Sequence, residues 1–222
     1  MERPKNLKRI VAECALCFVD SGMILGIGSG TTVREFIKVL AEKKMDVVGV
    51  PTSMDTEMFM IQNRIKVMSP YEVDRIDLAV DGADSILLER NVVLKGGGGA
   101  LAREKVVDYF AKKFLIIVDE SKINRMVPIA VEIIPFSLFF VRKELEKYGQ
   151  PYLRLSNKKL GPVITDNGNW LIDLRISMDK IDQKLEYDIK SIPGVVENGI
   201  FSREALILVS KKNGSVEEYK LK

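Results

Sequence analysis

The sequence predicts an α/β fold in which a doubly wound, mostly parallel sheet carries a second, smaller α+β domain. Three observations predict it. Short apolar runs alternate with amphipathic helical stretches as far as residue 127. Most of those runs stop at glycine, aspartate or serine, residues that turn a strand into a loop. From Met126-Val127-Pro128 onward the alternation gives way to a strand, a helix and a pair of strands around a turn.

Leu7, Ile10, Val11, Cys14, Cys17 and Phe18 recur at helical spacing, so the opening reads as an amphipathic helix ending near Ser21-Gly22. MILGIG (23–28) is a strand broken by glycines, and TTVREFIKVLAEKK (31–44) has helical periodicity and a basic end. VVGVPTS (47–53) repeats the strand-to-loop pattern, MDTEMFMIQN (54–63) is helical, and IDLAVDGAD (76–84) is a buried strand ending in acids. LAREKVVDYFAKK (101–113) reads as a helix and FLIIVDESK (114–122) as a strand stopping at Asp119. In the smaller domain VEIIPF (131–136) reads as a strand and SLFFVRKELEKYG (137–149) as a helix. PYLRLS (151–156) and NWLIDLRIS (169–177) are two strands separated by a turn containing Asp166-Asn167-Gly168-Asn169. ALILVS (205–210) is one more buried strand, and the charged tail (211–222) forms a final hairpin.

Composition narrows the chemistry. With 46% hydrophobic and 29% charged residues the chain is an ordinary globular protein, and no apolar run is long enough to span a bilayer. The charged opening MERPKNLKRI does not look like a secretory signal, so a cytoplasmic location is expected. A net charge of +3 from 34 basic and 31 acidic residues contains no block of one sign, which argues against nucleic acid as partner. The absence of histidine excludes a histidine-activated serine or cysteine and removes the commonest metal ligand, leaving carboxylates or lysine as bases. Cys14 and Cys17 form a lone C-x-x-C with no further pair to complete four metal ligands. Both are expected on the apolar face of a helix.

Four segments carry candidate chemistry, three of them at predicted strand ends, where doubly wound sheets collect ligands. Gly26-Ile27-Gly28-Ser29-Gly30-Thr31-Thr32 leaves a strand and opens a helix, offering amides, hydroxyls and a helix dipole to an anion. Counting G-x-G-x-x-G from Gly26 puts Thr31 at the last glycine, and no G-x-x-x-x-G-K-[ST] occurs, so a small phosphate fits better than a nucleotide. Asp81-Gly82-Ala83-Asp84 brings two carboxylates to one turn, suited to moving protons between hydroxyls, although acidic turns also serve as plain caps. Lys95-Gly96-Gly97-Gly98-Gly99 is the most informative stretch. Ordering four glycines costs entropy that a merely structural loop would avoid, whereas close backbone approach to a ligand needs them. Lys95 and the glycine amides suit a developing oxyanion, and Glu104, a turn into the next helix, faces the same place if that helix points its start at the ligand. Asp119-Glu120-Ser121-Lys122 adds a lysine suited to a phosphate.

In this order the segments resemble ribose-5-phosphate isomerase of the A type, with its glycine-threonine/serine loop, D-G-A-D turn, K-G-G-G stretch followed by R-E-K, and D-x-S-K turn. Residues 161–169 (GPVITDNGN), Ile192-Pro193-Gly194-Val195-Val196 and Gly199-Ile200-Phe201 also resemble family motifs, so the likeness runs over nearly the whole chain. It implies a Rossmann-like domain of residues 1–127 plus about 203–222, a small α+β domain of 128–202, and a homodimer or homotetramer. It further implies interconversion of ribose 5-phosphate and ribulose 5-phosphate without metal or other cofactor, a step of the non-oxidative pentose phosphate pathway. Glu104 matches the general base, and Lys95 with the amides of Gly96, Gly97 and Gly98 matches the enediolate-stabilising groups. Asp81 and Asp84, flanking Gly82 and Ala83, match the carboxylates that hold the sugar hydroxyls. Ser29, Gly30, Thr31, Thr32 and Lys122 match phosphate and substrate positions, and Lys8 on the first helix is a further phosphate ligand. Two departures stand out: Ser85 follows D-G-A-D where glutamate is usual, and G-S-G-T-T replaces the frequent G-T-G-S-T, which keeps the hydroxyls.

Two rivals bear on the same residues. A phosphosugar sensor domain binds without turnover and dispenses with the base. A coenzyme A transferase of similar topology uses a glutamate to form a thioester. Retention of Glu104, Lys95 and both aspartates disfavours the first, and R-E-K after a glycine run disfavours the second.

Overall fold

The computed structural model describes residues 6–222; residues 1–5 of the charged opening lie outside it. In chain order the elements begin with α1 (Leu7–Ala15), β1 (Ile24–Ile27), α2 (Thr31–Glu42), β2 (Val48–Pro51), α3 (Met54–Gln62), β3 (Lys66–Val67) and β4 (Ile76–Asp81). A short hairpin of β5 (Ser85–Leu87) and β6 (Val92–Leu94) precedes α4 (Leu101–Phe110) and β7 (Ala111–Asp119). Then come β8 (Ile129–Ile133), α5 (Leu138–Leu145), β9 (Gln150–Leu153), β10 (Trp170–Arg175) and α6 (Gln183–Lys190). The chain closes with β11 (Val195–Asn198), β12 (Ile200–Phe201), β13 (Ala205–Ser210) and β14 (Val216–Leu221).

These elements form two units. The first comprises the chain up to Ala83, Arg103–Lys122 and Arg203–Lys222; the second comprises Asp84–Ala102 and Ile123–Ser202. The first holds a seven-stranded sheet in the order β14-β13-β7-β4-β1-β2-β3. All neighbours are parallel except β14, which returns antiparallel along β13 as the predicted hairpin. From β1 the chain winds outward through β2 to β3, then resumes on the other side at β4, so the order reverses between β1 and β4. Such a reversal opens a crevice at the carboxyl ends of the two strands. Ile27 and Val80 lie side by side there, just before Gly28 and Asp81. The apolar stripe of α1 (Val11, Ala12, Ala15) and that of α2 (Phe36, Ile37, Leu40) are buried in one core with Leu25, Ile27, Leu78, Val80, Leu115 and Leu208.

Both sheets of the second unit are antiparallel, a four-stranded sheet β11-β8-β10-β9 and a three-stranded sheet β12-β6-β5. Its core gathers Leu94, Val131, Ile133, Val141, Leu145, Ile172, Leu174, Leu185, Ile189 and Ile200.

The structure corrects several expectations. The helix starting at Leu101 stops at Phe110, and Ala111–Lys113 already belong to β7, where pairing with Ile76 and Leu78 of β4 extends the strand. Arg203 donates to the carbonyl of Asp108 near that helix end, which favours the early stop. The expected strand at 131–136 sits two residues earlier, because Pro135 opens a 3-10 turn instead. Strands β9 and β10 do pair, Leu153 with Ile172. The turn at 165–168, however, closes only Ile164 onto Trp170 inside the longer connection. Cys14 packs against the core, and burial pushes its thiol pKa up, with Cys17 adding to the effect. Cys17 is exposed on the 3-10 turn after α1, not on the apolar face.

Candidate active site

The first unit places its candidate residues at the crevice between β1 and β4. Asp81, the last residue of β4, is fully buried. Its Oδ1 accepts from the backbone N–H of Ser29 (3.1 Å) and of Gly82 (2.6 Å), which fixes the carboxylate against the turn. Residue 28 must be glycine for this: a Cβ there would lie 1.9 Å from Asp81 Cγ. The sequence run Gly28-Ser29 and the acid of D-G-A-D are thus one piece of construction, brought together by adjacent parallel strands.

Ser29 Oγ lies 3.0 Å from Thr52 Oγ1, 2.9 Å from Ser53 Oγ and 3.3 Å from Thr56 Oγ1. Thr52, Ser53 and Thr56 are all buried, and Thr56 donates onward to the carbonyl of Gly28 (2.8 Å). Sequence reasoning missed this hydroxyl cluster. Its signal was present, because Thr52-Ser53 ends β2 at the place in the strand-loop-helix pattern that Gly28-Ser29 occupies after β1.

Gly30 caps α2 with φ +103°, and neither a side-chain cap nor an acid occupies the first turn. Its leading amides therefore present an uncompensated positive end to an anion. Thr31 is exposed and Thr32 buried at that end, and the ammonium of Lys8, from α1, donates to Thr31 Oγ1 at 2.8 Å. Lys8 and the glycine loop, 23 residues apart in sequence, are brought together. Lys122 ends the 3-10 turn after β7, half-buried, beyond the Asp119 carboxylate that accepts from Ser121 N (3.0 Å). No hydrogen bond or ion pair joins Lys122 to Ser29 or Thr31 among the described residues. Glu104 lies in the first turn of α4 and is buried, 5% exposed.

The second unit builds the glycine loop. Lys95 is buried (4% exposed), its amide donates to Gly199 O (2.9 Å), and its ammonium stands 5.5 Å from the centroid of the Phe201 ring. A cation over an aromatic face is held there electrostatically. This accounts physically for Gly199-Ile200-Phe201. Asp84 accepts the amide of Gly97 at Oδ2, 2.7 Å. Gly99 N closes a turn onto Gly96 O (3.1 Å), with Gly96 and Gly99 at φ +100° and +85°. Arg154, which sequence reasoning also missed, donates to the carbonyls of Gly96 (2.8 Å) and Gly97 (3.2 Å). Ser85 Oγ is buried with no hydrogen-bond partner among the described residues.

Residues 165–169 prove architectural. Fully buried Glu132 accepts at Oε1 from Thr165 Oγ1 (2.9 Å), Asn167 Nδ2 (2.9 Å) and Asn169 Nδ2 (2.8 Å).

The family model described as ribose 5-phosphate isomerase A (phosphoriboisomerase A) matches residues 48–214. A ribose-5-phosphate isomerase A of Methanococcus aeolicus is 44% identical over 208 residues, 90% of this chain and 88% of that one. The one of Methanocaldococcus jannaschii is 42% identical over 95% of this chain and 96% of that one. The solved structure from the latter organism superposes with TM-score 0.91 over 98% of this chain and 100% of that one, at 40% identity. A solved D-ribose-5-phosphate isomerase in complex with phospho-erythronic acid gives 0.92 at 37% identity, over 99% and 100% of the two chains.

Proposed function

The chain belongs to the ribose 5-phosphate isomerase A family, and on that premise we propose that it interconverts D-ribose 5-phosphate and D-ribulose 5-phosphate by proton transfer through an enediolate. The observation that carries this reading is the end-to-end match, over 95% of this chain, to a relative named as that isomerase. The sensor alternative gains no support from relatives that are named as enzymes.

In this reading Glu104 takes the proton from C2 of the open-chain aldose and returns it to C1. Glu104 is buried at the start of α4, so a proton it carries is kept from bulk water between the two carbons. Lys95, held over Phe201, stabilises charge on the enediolate oxygens together with the glycine amides, each such donor contributing roughly 3 to 4 kcal/mol. Asp81 and Asp84 hold sugar hydroxyls and carry protons between oxygens. The α2 amides, Ser29, Thr31, Thr32, Lys8 and Lys122 bind the phosphate. Phospho-erythronic acid, held by a structural neighbour, supports the enediolate: its carboxylate pairs two oxygens sharing one negative charge, as the enediolate does. We further place the protein in the cytoplasm, because phosphate charge keeps such substrates from crossing a bilayer. No helix of the described residues is long and apolar enough to cross a membrane. We also read it as a homo-oligomer, dimer or tetramer. Phe136, Phe139 and Phe140, 88%, 76% and 70% exposed, form an apolar face suited to a second copy.

The test is conversion of ribose 5-phosphate by chelator-treated protein in D2O, beside Glu104→Gln. Turnover is expected, with deuterium at C1 of the ketose in proportion to exchange of the Glu104 proton with solvent before its return, and about a 10²- to 10⁴-fold loss of kcat in the variant at near-constant KM. Failure of the wild type to convert ribose 5-phosphate sinks the isomerase reading. Unchanged kcat in the variant removes Glu104 as base.

A further inference from the structure

Arg154 lies in the second unit, just past β9, with its side chain 17% exposed. It uses every edge of its guanidinium. Nε donates to Asp173 Oδ2 at 2.8 Å and Nη2 to Asp173 Oδ1, a paired contact with a carboxylate only 8% exposed in the middle of β10. The remaining arm, Nη1, reaches Gly96 O at 2.8 Å and Gly97 O at 3.2 Å. The arginine is itself fixed in the sheet, since its amide donates to Leu171 O (2.8 Å) and its carbonyl accepts from Val163 N (2.9 Å).

A buried arginine-carboxylate pair is by itself poor grounds for stability, because desolvating both ions offsets their attraction. What the third arm touches is more telling. The carbonyl of Gly96 and the amide of Gly97 belong to one peptide group. In a trans peptide they point in opposite directions, and no cis bond occurs among the described residues. Arg154 holds the oxygen of that group, and its N–H donates to Asp84 Oδ2 at 2.7 Å. The contact is close enough that a Cβ on residue 97 would lie 2.7 Å from Asp84 Oδ1. A run of glycines has many backbone states of similar energy, so the state that aims this amide at Asp84 must be selected from outside the loop.

We propose that Arg154, oriented by Asp173, is a positioning residue that fixes the Gly96–Gly97 peptide plane and, through the Gly97 amide, the carboxylate of Asp84. The inference rests on the proposed isomerase reading, in which Asp84 holds a substrate hydroxyl. Asp173 turns two arms of the guanidinium toward itself, which leaves Nη1 one direction only. Lysine cannot replace it: a single ammonium lacks the planar fork that holds a carboxylate and a carbonyl at once.

The experiment measures kcat, KM and thermal midpoint for wild type, Arg154→Lys, Asp173→Asn and Arg175→Ala. Arg175, two residues after Asp173 in β10, stacks on Tyr152 of β9 and serves as the control. Arg154→Lys is expected to stay folded and lose about 10- to 100-fold in kcat, the scale of a small misplacement of a reacting group, with KM within about threefold. Asp173→Asn keeps the cation and most hydrogen bonding, so it is expected to lose less, and Arg175→Ala nothing. Adding guanidinium to an Arg154→Ala variant should recover part of the lost kcat. Wild-type kcat in both Arg154→Lys and Asp173→Asn, or a fall in thermal midpoint with kcat per folded molecule unchanged, overturns the positioning role. Should Arg154→Lys not fold, Asp173→Asn and the guanidinium rescue decide alone. A wild type without turnover overturns the isomerase reading and this inference with it, whereas an active wild type beside unimpaired variants overturns only the latter.

Discussion

Gly28→Ala puts one methyl group where the Asp81 carboxylate now stands. The added carbon would lie 1.9 Å from Cγ and 2.0 Å from Oδ1, both far inside contact distance. Neither party can yield cheaply. Residue 28 is tied by its amide to Val80 O (3.0 Å) and by its carbonyl to Thr56 (2.8 Å), and Asp81 is fully buried. If the backbone stays, the carboxylate rotates away and gives up the amides of Ser29 and Gly82, each charge-assisted bond worth about 1.5 to 3 kcal/mol. If the carboxylate stays, the strand end shifts, and overpacking of that kind costs about 1 to 3 kcal/mol. Either route gives roughly 3 kcal/mol, or a fall of about 6 to 12 °C in Tm for a chain of this size. Calorimetry reads that shift, and steady-state kinetics on the same samples reads Asp81. If the carboxylate has rotated, kcat falls by an order of magnitude or more while the α2 end still binds phosphate. A variant melting within 2 °C of wild type, at wild-type kcat, would refute the claim that glycine at 28 exists for Asp81; the threshold is about 1 kcal/mol.

Two further outcomes follow from contacts remote from the chemistry. Asp77 is held below the ordinary carboxylate range, first by the amide of Ile24 (3.0 Å), then by Lys112 (2.9 Å) and Arg75. A pKa lowered by folding contributes stability above the unfolded value, near 3.8, and loses it as pH falls through the folded value. Asp77→Asn should therefore cost about 1 to 2 kcal/mol at pH 7, with the gap in Tm narrowing below about pH 4; an equal gap at pH 3 and pH 7 contradicts this. Phe139→Ser with Phe140→Ser should shift sedimentation toward monomer if the face joins two copies. An unchanged oligomer assigns the interface elsewhere, and a wild-type monomer ends that reading.

Most strands and helices of the first unit were legible because they bury a continuous apolar run or stripe, a pattern local in sequence; two-residue β3 was not. Their ends were less so. Ala111–Lys113 look helical in isolation, and only the neighbouring β4 makes them strand. Strands β5, β6, β11 and β12 and helix α6 carry no adequate local signal, since four strands of two to four residues are too short to show period-2 alternation. Their existence follows from partners far along the chain, such as Ile200 against Leu94.

The candidate site divides along the same line. Residues whose chemistry is local, namely the glycine loops, the paired aspartates and the lysines, stand out from spacing and composition. Residues that hold them in place do not. Arg154 serves a loop 57 residues upstream, Phe201 lies under Lys95 across 106 residues, and Glu132 collects three donors from 165–169. Each is an ordinary residue type in an ordinary-looking strand, so its role exists only once the sheets have paired. The asymmetry has a physical origin. A glycine run with a lysine before it and a glutamate after it supplies amides and charge but no fixed geometry. The entropy that makes such a run conspicuous in sequence is what Arg154, Asp84 and the Gly99–Gly96 turn must remove in the fold. Chemistry was therefore readable from the flexible segments, while the means of making them rigid had to come from the β-sheet residues that looked least functional.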